Sequence, residues 1–333
     1  MEGKSTLQAE KRKYPNAVKG NTMKQRKRMD VPVPRIAAIH DLAGFGRCSL
    51  CVVMPALSSM GTQVIPLPTA LLSTHTGGFT GYTFLDLTEE MRKIAAHWSS
   101  LPLEFEAIYS GFLGNLEQIC IVEEFIHRFR RDGAPVFVDP VMGDDGVLYA
   151  TYTEEMRAAM KDLVRQADVI CPNITEAFFL LDRPYENIAL LHPREMRECV
   201  DCMLHDLAGY GPEKVVITGI ETAGENGTPL IGTACLREKD VLPEFYMTPK
   251  VEVSYPGTGD LFASVLLGYL VRGRALKEAA AAAVGFVHLI VEETLRYAPQ
   301  PRDGVIFEKY LYRLHEEPSA FFDKVKICRF DRY

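Results

Sequence analysis

The stretch SYPGTGDLFASVLLGYL, Ser254 to Leu270, places two glycines, a threonine and an aspartate directly before an apolar helix. Residues 261, 262, 265, 266, 269 and 270 form one apolar face at helical spacing, so the helix begins at about Gly257–Asp260. The first amides of a helix lack intrahelical partners and carry partial positive charge. Glycines let a phosphate reach them without a Cβ in the way. Gly257, Thr258 and Gly259 are therefore candidate anion-hole residues. The turn is not a Walker loop, because no Lys-Ser/Thr follows. It is not a dinucleotide fingerprint either, since the third glycine is missing. Asp260 would repel a bound anion, which suits a base that takes a proton from a hydroxyl beside a phosphoryl group. The plainer alternative is a glycine turn capped by an aspartate.

The surrounding chain alternates short apolar runs with helical periods. Strands are read at 35–40, 62–67, 105–111, 135–140, 168–173 and 214–219. Helices are read at 48–61, 87–100, 116–133, 153–167, 195–211, 259–273 and about 275–297. Near-continuous apolar strands between helices predict an α/β fold with a parallel sheet covered on both faces. Residues 229–238 and 241–250 read as an antiparallel pair at its edge.

Phosphoryl transfer calls for a divalent cation. VDPVMGDDG (138–146) puts Asp139 at a strand end and Asp144 and Asp145 in the loop beyond it. CPNITEA (171–177) puts Asn173 and Glu176 just past another. Ligands of parallel sheets gather at such carboxyl ends, and oxygen donors suit magnesium. Turn chemistry at Asp144/Asp145 and a capping box at Asn173/Glu176 are the alternatives.

Together these motifs resemble the ribokinase-like superfamily over about residues 35–300, and within it the pyridoxal kinases. GTGDLFAS (257–264), CPNITEA, VDPVMGDDG and LLSTHTGGF (71–79) carry the resemblance. It implies a three-layer α/β/α sandwich and ATP-dependent phosphorylation of the 5′-hydroxymethyl group of a vitamin B6 vitamer. It implies Asp260 as base, Gly257–Gly259 as anion hole, and Asn173, Glu176, Asp139 and Asp144 around Mg2+ and the triphosphate. Glu176 and Asp139 would act on the metal through water. Thr218 would sit by the nucleotide, and His75 and Thr76 by the substrate ring. A K+ ion and a homodimer also belong to that pattern. Two positions depart from it. Asp41 stands where a serine is common, and Phe112 replaces a tyrosine in SGF (110–112). Both bear on which vitamer is taken. Residues 74–83 are expected to close over substrate, with Gly77, Gly78 and Gly81 as hinges.

Hydroxymethylpyrimidine kinase is the nearest rival, but that branch usually has G-T-G-C where this chain has Asp260. A sugar kinase is disfavoured because only residues 41–47 separate the first strand from the first helix, leaving little room for a lid. A non-catalytic binder of the vitamer or nucleotide would not need the base.

Bulk composition agrees with an enzyme of this kind. The 333 residues are 47% hydrophobic and 24% charged, and no apolar run is long enough to span a membrane. Eight cysteines lie mostly in apolar segments, which predicts reduced thiols and a cytoplasmic protein. The C-x-x-C pairs Cys48/Cys51 and Cys199/Cys202 lack the flanks of a metal knuckle and read as small apolar residues on helices. Residues 1–34 carry a net charge of +6, leaving −13 on the rest, so nucleic acid is not expected as a partner. The expected division is a basic disordered leader over 1–34, one kinase domain over 35–318, and a tail over 319–333.

Overall fold

The computed structural model describes residues 33–224, 226–237 and 240–328. The basic leader thus lies almost wholly outside the described residues. Strand β1 (Arg35–Phe45) leads through α1 (Leu50–Ser59) into β2 (Gln63–Thr74), then β3 (Phe84–Asp86) and α2 (Thr88–Trp98). Next come β4 (Ala107–Ser110), α3 (Leu116–Phe129), β5 (Val136–Val138) and a small hairpin, β6 (Gly143–Asp144) with β7 (Val147–Leu148). The chain continues through α4 (Glu154–Arg165), β8 (Val169–Ile170), α5 (Ile174–Leu180), α6 (Pro193–Ala208) and β9 (Lys214–Ala223). It ends with β10 (Pro229–Arg237), β11 (Glu244–Pro249), α7 (Thr258–Val271), α8 (Leu276–Leu295) and β12 (Lys326–Cys328).

Ten strands make one sheet in the order β12-β11-β10-β9-β8-β5-β4-β1-β2-β3. From β9 to β2 all neighbours are parallel. The antiparallel β9–β10–β11 pairing matches the expected edge pair. Alternate residues of β1 feed opposite cores. Ala37 and Ile39 pack with α2–α6, whereas Ile36 and Ala38 pack with α1, α7 and α8. This is why the strands read as continuous apolar runs: both faces are covered.

Three differences from the sequence reading bear on the site. First, β1 and β2 run five and seven residues past the predicted ends at His40 and Leu67, and β3 pairs with the added part of β2 as the edge strand of the sheet. β2 carries Pro66 inside the predicted stretch and Pro68 just beyond it. They are tolerated because β2 has β1 on one side only until β3 joins at Ala70, leaving the other edge with no ladder bond to lose. The 41–47 segment is therefore mostly strand, and the argument from a short loop against a lid does not stand in that form. Second, the sheet register slips between His40 and Leu42, so Asp41 sits at a bulge. Third, β12 pairs with β11, and Pro318–Phe321 packs on α8. The boundary at Pro318 is corrected accordingly: the segment to Cys328 is part of the domain. Among the described residues no helix is long and apolar enough to cross a membrane.

Candidate active site

The candidate residues converge at the carboxyl ends of β1, β4, β5, β8 and β9, facing the N-terminus of α7. Gly257 is the residue before that helix, at φ 81°. A Cβ there would overlap the carbonyl oxygen of Arg47. Glycine is thus required by both conformation and space. The first i→i−4 bond is Leu261 N–H to Gly257 O (3.0 Å), so the amides of Thr258, Gly259 and Asp260 precede the ladder. The Thr258 hydroxyl donates to Tyr255 O (3.0 Å) and fixes the turn. The Arg47 guanidinium meets Glu308 (2.6 Å) and Asp303 O (3.2 Å), which ties the residue facing Gly257 to the 303–308 segment.

Asp260 is held by two residues that the sequence gave no cause to place beside it. Its Oδ2 accepts from the Ser49 amide (2.8 Å) and from Cys48 Sγ (3.4 Å). Burial raises its pKa, and these two donors oppose that shift. Asp41 is 5% exposed, and burial pushes its carboxyl up to about 6. A hydrogen bond from the Ser49 side chain works against that rise, and the charge of Asp260 adds to it. The departure at position 41 thus places a second carboxyl beside the candidate base.

Glu176 is 3% exposed, and its two oxygens accept from the Met142 amide (3.0 Å) and the Asn173 amide (2.8 Å). Asn173 Oδ1 returns a bond from the Glu176 amide (2.8 Å). The capping box is therefore real. It does not exhaust the carboxylate, because burial still pushes Glu176 well above the usual range. Asp139, 8% exposed, is raised by burial and then by the charges of Glu176 and Asp260. Burial raises all three carboxyls, and Asp139 is raised further by the charges of Glu176 and Asp260; with no ion pair to any of them among the described residues, this fits a place where a cation offsets the charge. Among the described residues no three His, Cys, Asp or Glu side chains form a metal-binding group. Carboxylate and amide oxygens of this kind are donors that Mg2+ accepts alongside water and phosphate oxygens.

Asp144 and Asn173 share a cleft of about 160 Å³ with Thr175, Tyr185 and Gly219. Gly219 has φ 71° and is the extra residue of a bulge opposite Gly232/Thr233, which interrupts the ladder beside Thr218. Thr218 bridges to Asn173, so the two candidate nucleotide strands are tied at this point.

The loop after β2 is arranged differently from expectation. His75 is buried, and both ring nitrogens are used by backbone: Nδ1 accepts from the Gly77 amide (3.1 Å), which leaves Nε2–H to donate to Arg302 O (2.7 Å). The Arg302 guanidinium lies over Phe79, 5.0 Å from the ring centre. Thr76 is exposed, and Phe112 is half-buried with its carbonyl bonded by Thr69. His75 thus fastens the loop to the 300–304 segment, leaving neither nitrogen free for a ligand in this conformation.

Below the site, His40 is fully buried with both nitrogens unpartnered, stacked edge-on to Tyr109 at 4.3 Å. Burial lowers its pKa to about 3. An isolated histidine in an apolar strand offers no sequence signal for this.

The sheet, its helices and the carboxyl-end site are those of the ribokinase-like α/β/α sandwich. The chain belongs to the phosphomethylpyrimidine kinase family, whose model matches residues 54–302. A Bacteroides thetaiotaomicron protein assigned to phosphomethylpyrimidine kinase, solved in a form with pyridoxal, is 41% identical. It superposes with a TM-score of 0.80 over 89% of this chain and 100% of its own. The pyridoxal kinase of Lactobacillus plantarum is 30% identical, with a TM-score of 0.75 over 84% of this chain and 96% of its own. Among curated proteins, pyridoxal kinase PdxY of Rubrobacter xylanophilus is 27% identical over 78% of this chain and 88% of its own.

Proposed function

We propose that this protein phosphorylates the 5′-hydroxymethyl group of a vitamin B6 vitamer, pyridoxal, pyridoxamine or pyridoxine, using ATP. The observation that carries the reading is Asp260, held in the first turn of α7 beside three amides free to take an anion. Similarity to pyridoxal kinases, and to a relative solved with pyridoxal, supports the choice of substrate.

In this mechanism the amides of Thr258 and Gly259 face the transferred phosphoryl and stabilise the charge it gathers. Asp260 accepts the proton of the attacking hydroxyl. Glu176 and Asp139 would hold Mg2+ through water, and that ion supplies charge neutralisation on the phosphates. Asn173, Asp144 and Thr218 line the nucleotide side. Asp41 meets the substrate ring or its substituents. A carboxyl titrating near 6 can receive a hydrogen bond from a pyridinium nitrogen or an ammonium group. Phe112 adds an apolar wall. A K+ ion is an expected activator.

ADP release with Mg2+-ATP and, side by side, the three vitamers, hydroxymethylpyrimidine and ribose tests the reading. Turnover of at least one vitamer, well above the pyrimidine and the sugar, is expected. Turnover confined to the pyrimidine or the sugar would overturn the substrate assignment.

A further inference from the structure

Cys48 lies two residues before α1, not within it, and so is not the small apolar helix residue that its C-x-x-C spacing suggested. Its partner in that motif, Cys51, gives its thiol hydrogen to Ala43 O (2.9 Å). Cys48 instead points across 212 positions of sequence to Asp260 (3.4 Å). A carboxylate only accepts, so the thiol is the donor. The next amide, Ser49 N–H, reaches the same oxygen at 2.8 Å. To do so Ser49 takes φ 51° and ψ −132°, a conformation costly for a residue with a side chain. Such strain persists only where surrounding structure enforces it. Here the enforcing contacts are the two bonds to Asp260 and one from the Ser49 side chain to Asp41.

We propose that Cys48 is a positioning residue for phosphoryl transfer: with the Ser49 amide it clamps Oδ2 of Asp260, so that Oδ1 is the oxygen that takes the substrate proton. The inference rests on the reading of Asp260 as the base. In the step itself the substrate hydroxyl loses its proton to Oδ1 and its oxygen bonds to the γ-phosphorus. The bond from that phosphorus to the β-phosphate oxygen breaks, and ADP leaves. Burial, with the charges of Asp260 and Asp41, keeps the Cys48 thiol protonated, so the clamp persists through the neutral range. The clamp also favours the ionised form of Asp260 against burial. The other titratable groups facing this pair are Asp41 on β1, His75 after β2, Tyr109 on β4, Asp139 on β5 and Tyr149 after β7.

The test compares wild type, Cys48→Ala, Cys48→Ser and Asp260→Asn for kcat from pH 5.5 to 9 at saturating pyridoxal and Mg2+-ATP. Cys48→Ala should lower kcat at pH 6 by about 3- to 10-fold, the scale of one weak bond to a charged group. It should also move the acid limb to higher pH, because the lost donor no longer opposes burial. Equilibrium binding of pyridoxal should stay within about twofold, since ground-state binding is not what the clamp supports. Cys48→Ser keeps a donor and should restore the limb. A Cys48→Ala profile superimposable on wild type, with Asp260→Asn inactive, overturns the clamp and leaves the base. An active Asp260→Asn overturns the base itself. A second readout does not need Cys48→Ala to fold. Alkylation of Cys48 by iodoacetamide, followed by mass spectrometry, should begin at lower pH in Asp260→Asn than in wild type. Equal onset in the two proteins contradicts the contact.

Discussion

Replacing Asp41 by asparagine should make the protein more stable at pH 8 relative to its effect at pH 4. Asp41 is 5% exposed, and its carboxyl is raised from an ordinary 3.8 to about 6 by burial and the neighbouring charge of Asp260. A folded-state pKa above the unfolded one means the folded protein binds the proton more tightly. The stability from that proton is fully present below about 3.8. It is lost as pH rises and is gone above about 6. The shift is about 2 pH units, and each unit is worth about 1.4 kcal/mol, so the wild type loses about 3 kcal/mol over that window. Asparagine has the same shape, can still accept from the Ser49 hydroxyl, and does not titrate. His40 next door titrates in the opposite sense: its folded pKa of about 3 lies below the ordinary 6.5, so it destabilises the fold as pH falls. That contribution is common to both proteins and cancels in their difference. The assay is urea unfolding of the ligand-free protein at half-unit steps from pH 4 to 8. The gap between variant and wild type should grow by about 3 kcal/mol in favour of the variant between pH 4 and 7, then level off. A gap independent of pH would refute the claim that Asp41 is buried against the charge of Asp260. A gap growing toward low pH would reverse the sign and refute it equally.

Two further substitutions probe the site from other directions. Gly257→Ala sets a methyl against the Arg47 carbonyl at a positive φ. It should cost roughly 1–3 kcal/mol or more in thermal unfolding and lower kcat sharply, since the amides beyond it move. Stability and activity equal to wild type would refute the tight turn. Glu176→Gln leaves either Met142 N–H or Asn173 N–H facing an NH2 group and removes a charge that raises Asp139. The Mg2+ concentration for half-maximal rate should rise on the order of tenfold or more, the scale seen when a group that orients metal-bound water is lost. An unchanged Mg2+ titration would place the ion elsewhere.

What could be read in the sequence was whatever is written locally. The helix face after GTGD, the N-x-x-E box and the alternating apolar strands are short-range patterns, and each stands where its spacing put it. Contacts between distant segments left no such trace. Cys48 and Asp260 lie on opposite ends of the domain sequence, and nothing in GRCSL announces a partner at 260. Residues 326–328 are too short and too mixed to read as a strand until the edge of β11 offers them a ladder. β2 runs on past Pro66 and Pro68 to Thr74, because a proline is barred from a central strand but not from one with an open edge. The His75 motif was legible as a motif but not as an arrangement. Its two nitrogens are spoken for by Gly77 and Arg302, a segment 227 residues away.

The central claim is that Asp260 removes the proton while the α7 turn holds the phosphoryl group. It is tested most directly by Asp260→Asn, with kcat measured alongside the equilibrium Kd for pyridoxal and for Mg2+-ATP. The account predicts a loss in kcat on the order of 10²–10⁴, with both Kd values within a few-fold of wild type. Loss of binding in step with activity, or retention of kcat, would contradict it.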